Sequence, residues 1–161
     1  MTDLPMTDLR DDELFIERRF EAPVALVFRL WQERDHLLRW WGPEGFTAVD
    51  FDWKLAPGRA WRGAMTSRKF GLSRFSGVIQ EVEENRRIVF TFQWQGQDEP
   101  ETLVTVTLTE KDGGTLQTFH QAPFASVASR DSHVGGWNSL FNKQELYAEN
   151  FAIALEKGIV P

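Results

Sequence analysis

The chain predicts a two-layer α+β fold: a curved antiparallel sheet of about six or seven strands around one long C-terminal helix, with two short helices after the first strand. Three observations predict it. Period-two hydrophobic runs recur from residue 47 to residue 121, separated by short turn signals. Strands joined this directly must be antiparallel, because parallel neighbours need a long crossover. A helical apolar period then takes over between Val134 and Leu155.

The elements follow in order. Residues 1–12 carry Met-Thr-Asp-Leu twice, too short a repeat for a structural unit, and are expected to be a mobile tail ahead of a single domain over residues 13–158. A strand is predicted over Leu14–Phe20. Ala22-Pro23 opens a helix, since proline is tolerated in the first turn. Val24, Val27, Phe28 and Trp31 fall on one face of it. Asp35 is expected to cap a second short helix through its carboxylate. Gly42 suits the left-handed position that ends that helix, and Pro43 stops its continuation.

Strands are then predicted over residues 47–53, 60–65, 74–82, 88–94, 102–109 and 115–121. Pro57-Gly58, Glu84-Asn85, the stretch 95–100 and Asp112-Gly113-Gly114 supply the turns. Ile88, Phe90, Phe92 and Trp94 alternate with Val89, Thr91 and Gln93, so one face is heavily aromatic and covered. The terminal helix carries Val134, Trp137, Leu140, Phe141, Tyr147, Ala148, Phe151, Ala154 and Leu155 at helical spacing. It is predicted to run about 36 Å at 1.5 Å per residue, with Gly135-Gly136 weakening its first turn. Such a helix needs a surface, and the aromatic sheet face is the only large one. The layout is a helix-grip, with Trp40-Trp41 lidding the space between sheet and helix.

Composition narrows the function classes. The 161 residues suit one domain, with 42% apolar and 26% charged side chains. The net charge of -6 argues against a nucleic-acid partner. With no cysteine, disulfide and thiolate chemistry are excluded. No run of about 20 apolar residues offers a membrane span, and the acidic N-terminus lacks a signal pattern, so a cytoplasmic location is expected. The anomaly is 13 Phe and 7 Trp against one Tyr.

Residue by residue, the chain resembles the START-like, or SRPBCC, superfamily and its Aha-type branch. That branch is named after the C-terminal domain of the co-chaperone that activates the ATPase of heat-shock protein ninety. The resemblance spans roughly Glu13 to Asn150. It rests on Phe20-Glu21-Ala22-Pro23 with Val27-Phe28 and Trp31, on Leu38 with Trp40-Trp41-Gly42-Pro43, and on Pro57-Gly58. Phe75-Ser76-Gly77, Arg87-Ile88-Val89-Phe90-Thr91, His120 ahead of Phe124, and Gly136-Trp137 complete it. The resemblance implies a helix-grip with a cavity between sheet and long helix, in a superfamily of lipid carriers, hormone and allergen-type binders and polyketide aromatase/cyclases. The chain departs from the family habit in its long polar segment from Asn142 to Gly158.

The expected pocket wall is Trp41, Phe46, Trp61, Phe75, Phe90, Phe92, Trp94, His120, Phe124, Trp137 and Phe141. A vacant apolar space of about 300 Å³ would cost about 7 kcal/mol, rivalling a domain's whole stability, so the rings either fill it or enclose something apolar. Of the histidines, His36 is expected at the surface, while His120 and His133 are candidates to meet near the pocket mouth. No spacing suggests a zinc site, no glycine loop a nucleotide, and no elbow a hydrolase, so neither metal nor cofactor is expected. Asp50 with Asp52, and Glu81 with Glu83, read as solvated pairs, and Arg59, Arg62, Arg68 and Arg74 are expected to pair with the acidic strands across the sheet rather than to bind an anionic ligand head group. The leading expectation is a binder of a small hydrophobic or aromatic molecule. An aromatase/cyclase-like enzyme with His120 moving protons, and a chaperone-interaction module, are the alternatives. An exposed edge of Trp40 or Trp53 would favour a homodimer.

Overall fold

The computed structural model describes residues 9–159. Its elements are β1 (Leu14–Phe20), α1 (Val24–Gln32), α2 (Arg34–Trp40), β2 (Phe46–Asp52), β3 (Ala60–Ser67), β4 (Gly71–Glu83), β5 (Arg87–Trp94), β6 (Thr102–Lys111), β7 (Gly114–Ala122) and α3 (Val127–Glu156). The strands form one sheet in the order β1-β7-β6-β5-β4-β3-β2, antiparallel throughout. The fold is the expected α+β helix-grip. Of the residues expected to form a tail, 1–8 lie outside the described residues; Asp12 offers its carbonyl to the Phe124 N–H at 2.9 Å.

Sequential strands pair through turns whose residues tolerate positive φ. The β6–β7 turn has Asp112 at φ 52 and Gly113 at φ 80, and the β4–β5 turn has Asn85 at φ 63. β1 reaches β2 at the opposite edge only by way of α1 and α2, so these helices must cross one end of the concave face. Gly42, at φ +109, ends α2 as expected. Asp35 does not cap it. The α2 N-cap is Glu33, which makes no side-chain cap bond because its carboxylate is taken by Arg29 Nε at 2.8 Å. Asp35 falls inside the first turn, where its charge favours the helix dipole instead.

α3 starts a turn and more earlier than its apolar period suggests. Ser126 caps it, accepting from the Ser129 N–H at 3.0 Å, and the helix runs 30 residues through Gly135-Gly136. Its buried stripe is Trp137, Leu140, Phe141, Gln144, Ala148 and Ala152. The polar segment after Asn142 therefore stays in register, and the apparent exception, Gln144, pairs with Gln117 of β7.

The grip is largely filled by rings. Trp31, Trp40, Trp61, Phe75 and Phe90 are all buried in one cluster. Trp40 and Trp53, whose exposure would have favoured a dimer, are buried too, with their N–H groups on the carbonyls of Leu30 and Trp31. Neither tryptophan therefore presents an exposed edge, because both indoles turn inward to find acceptors. On the outer face Asp52 meets Arg59 at 3.7 Å and Arg62 at 4.0 Å, and Glu81 meets Arg87 at 3.4 Å.

One glycine is dictated by crowding. A Cβ on Gly77 would lie 1.8 Å from the carbonyl oxygen of Thr91. That oxygen also accepts from Trp61 Nε1 at 3.0 Å, so it is held in place. Gly135, by contrast, has open space at its Cβ. Gly77→Ala is therefore expected to destabilise the fold by roughly 1–3 kcal/mol or more, and Gly135→Ala to stabilise it by about 1 kcal/mol. Urea unfolding of the two variants checks both signs.

Candidate functional site

What the rings leave open is a cleft at one end of the grip, with a volume of about 240 Å³ and an opening to solvent. One wall is α3, through Ser132, His133, Gly136, Trp137 and Leu140. The sheet contributes Met65 from β3, Phe92 and Trp94 from β5, and Gln97 from the following loop. Trp41 and Pro43, just past α2, close the remaining side.

Four of the residues expected to wall a pocket meet here: Trp41, Phe92, Trp94 and Trp137. Trp41 and Trp137 stand edge to face at 5.4 Å, as do Phe92 and Trp94 at 5.2 Å. Trp61, Phe75, Phe90 and Phe141 lie behind this lining. Phe75 stacks on both Trp41 and Phe92, at 5.7 and 5.4 Å, and Phe141 packs between Trp137 and Phe119. Phe124 backs onto His133 at 4.7 Å. Phe46 sits beside the cleft, stacked on the exposed Phe70.

His120 belongs to the other side of the sheet. Its neighbours Phe119 and Gln121 face inward onto Trp137, so strand alternation turns His120 outward, where its Nε2 meets Glu13 at 3.1 Å. His120 and His133 therefore do not meet. His133 is the cleft histidine, and its protons are assigned by its partners. Nδ1–H donates to the Ser129 carbonyl at 2.7 Å, and Nε2 accepts from Trp94 Nε1–H at 2.9 Å. Both ring nitrogens are engaged, so the imidazole orients Trp94 and keeps no lone pair for a base.

The indole of α3 is placed the same way. Trp137 Nε1–H donates to Gln121 Oε1 at 2.7 Å, and Gln121 Nε2 donates to Thr102 Oγ1 at 2.9 Å. The Trp41 side is fixed by a strap. Lys143 Nζ donates to the carbonyls of Gly42 at 2.9 Å and Phe46 at 3.3 Å, and Ser139 Oγ accepts from the Glu44 N–H at 2.8 Å. Burial lowers the Lys143 pKa from its ordinary value. These bonds join residues one turn apart on α3 to the loop that carries Trp41 and Pro43.

Sequence reading did not single out Met65, Pro43, Gln97, Ser132 or Leu140 for the lining. Gly136 entered the sequence analysis only as a weak point of the helix and, with Trp137, in the family resemblance. No carboxylate or cationic side chain among the described residues lines the cleft. Among the described residues no group of three or more His, Asp or Glu side chains could hold a metal ion.

His36, expected at the surface, is half-buried between α2 and α3. Its Nδ1 lies 2.7 Å from the Tyr147 hydroxyl, its ring packs on Phe151 at 4.8 Å, and Nε2 faces Glu33 at 3.4 Å. Burial lowers its pKa below the ordinary 6.5, outweighing the opposing pull of Glu33. A lowered folded value means the unfolded chain takes up the proton first. Stability is then full above pH 6.5 and falls as the pH drops from there through the lowered value. Denaturation midpoints over a pH series should show this slope, and His36→Asn should flatten it in that window. The carboxylates Glu13 and Glu33, whose values are lowered below 4.5, act only at more acidic pH.

The sequence profile described as Activator of Hsp90 ATPase homolog 1-like protein matches residues 21–149. Among solved structures, a protein from Chromobacterium violaceum superposes at a TM-score of 0.81 with 20% identity, over 87% of this chain and 99% of that one. The AHSA1 protein from Silicibacter pomeroyi does so at 0.76 with 26% identity, over 89% and 99%. A Mycobacterium smegmatis protein matches at 0.76 with 24% identity, over 93% and 95%. A search of the curated proteins found no match. No helix among the described residues is long and apolar enough to cross a membrane. The profile match covers most of the chain and agrees with the helix-grip geometry: the chain belongs to the Activator of Hsp90 ATPase homolog 1-like family, the Aha-type branch of the START-like proteins.

Proposed function

We propose that this protein binds a small apolar or flat aromatic molecule in the cleft between the sheet and α3. The observation that carries the reading is the lining: four aromatic rings, Met65 and Leu140, with no charged side chain among the described residues. Such a surface left to water is costly, and covering it with an apolar molecule recovers that cost. The volume of about 240 Å³ lies just under the roughly 300 Å³ at the low end of small-molecule sites, so the occupant is small.

Binding is favoured over an aromatase/cyclase-like reaction. Proton transfer needs an acid–base pair reaching into the cavity. The one titratable residue in the lining, His133, is bonded at both nitrogens, and His120 faces away.

Gly136 provides the test. A Cβ there meets nothing within 4 Å, so a larger side chain grows into the cleft without displacing the core. The substitution also improves helix propensity. Native mass spectrometry of gently purified protein should show a retained apolar compound, and Gly136→Leu should lose it while remaining folded. If no compound is ever retained, and a panel of small aromatics shifts the melting of both proteins equally, the proposal fails.

A further inference from the structure

Each of the seven tryptophans carries one N–H that burial obliges to find an acceptor. Six do: Trp31 on Gln117, Trp40 on Leu30, Trp53 on Trp31, Trp61 on Thr91, Trp94 on His133 and Trp137 on Gln121. Trp41 is the exception. Its side chain is 3% exposed, yet its Nε1–H has no hydrogen-bond partner among the described residues. Nor is that nitrogen sealed from solvent. The ring is crowded by Phe51, Phe75, Trp61 and Trp137, and the open space it lines is the cleft.

We infer that Trp41 Nε1–H is the polar contact of the cleft, and that the ligand is a neutral one- or two-ring molecule carrying a hydrogen-bond acceptor, a carbonyl or ether oxygen, that faces this donor. The inference rests on the small-molecule reading of the cleft and adds the ligand's chemistry to it. The other polar groups of the inner wall are committed: the Trp94 and Trp137 donors and both His133 nitrogens are bonded within the protein. Among the described residues the lining holds no charge to neutralise an ionic ligand. Gln97 and Ser132 are exposed at the mouth, so they can serve a polar end that points outward but not the enclosed part. An acceptor-free hydrocarbon would fill the space and leave a buried donor unpaired, which is the arrangement that sites discriminate against most strongly. Trp41 is also held by its loop, which Lys143 and Ser139 tie to α3, so the donor is presented at a fixed position.

A matched pair of probes tests this: 1-indanone, which has the acceptor, and indane, the same skeleton without it. Both are titrated into uniformly ¹⁵N-labelled protein, and the indole N–H resonances are followed, the Trp41 signal being the one missing from Trp41→Phe. Indanone should move the Trp41 resonance downfield, whereas indane should perturb the neighbouring indoles without that shift. Trp41→Phe, which keeps a ring, should weaken indanone roughly fivefold to tenfold and leave indane unchanged. Should the variant be poorly folded, the Trp41 signal is assigned in the wild-type protein from through-space contacts of its indole N–H to Phe51, Phe75 and Trp137, and the wild-type titrations decide the question. If both probes bind in the cleft and the Trp41 resonance responds to them alike, the donor assignment is wrong while the cleft remains a binding site. If neither probe perturbs the Trp94 and Trp137 indoles, the cleft reading fails and this inference with it.

Discussion

The structure depends on satisfying indole donors inside a tightly packed interior. Seven tryptophans supply much of the apolar mass that holds a cysteine-free chain together, but each brings an N–H that cannot be left dry without loss. Two of the acceptors stand on β7. Gln117 and Gln121, two and six residues from Thr115 on the inward face, accept from Trp31 on α1 and Trp137 on α3. Gln117 also exchanges hydrogen bonds with Gln144 of α3, and Gln121 is itself held by Thr102. The same amides that satisfy the rings therefore fix both helices to the sheet.

This arrangement explains why the grip is mostly solid. Interlocked rings at one end fill the space, with Trp31 edge to face on Trp40, and Trp53 and Trp61 edge to face on Phe90. The space that persists lies where α3 passes over the ends of β3 and β5 and where Gly136 presents no side chain. Its walls are rigid for identifiable reasons. Trp94 is held by His133, Trp137 by Gln121, and the Trp41 loop by Lys143 and Ser139. A site built from side chains pinned in this way is preorganised for a small rigid molecule, because little ordering remains to be done on binding.

The limits of sequence reading follow from the same interactions. Local pattern revealed β1, the six later strands and the helical stripe of α3, because a period of two or of 3.6 is a property of neighbouring residues. Asp35 misled because capping depends on where the preceding helix ends, and Glu33 ends α1 and begins α2 in one residue. His36 misled because a histidine on a short helix reads as exposed until another element covers it, here Tyr147 and Phe151 of α3. Gln117, Gln121 and Gln144 look like surface residues in the sequence; their burial is visible only once the indoles they serve are in place.

The sequence by itself determined the class of fold, the order of its elements and the aromatic character of its interior, since these follow from periodicity, turn chemistry and composition. Tertiary structure decided which rings fill the core and which border open space, that His133 and not His120 stands at the cleft, and that Trp41 alone of the indoles has no acceptor among the described residues. The physical reason is that apolar packing is non-directional and any ring can serve it, whereas a hydrogen bond needs a partner at a set distance and angle. Only the folded chain brings such partners together from residues far apart in sequence.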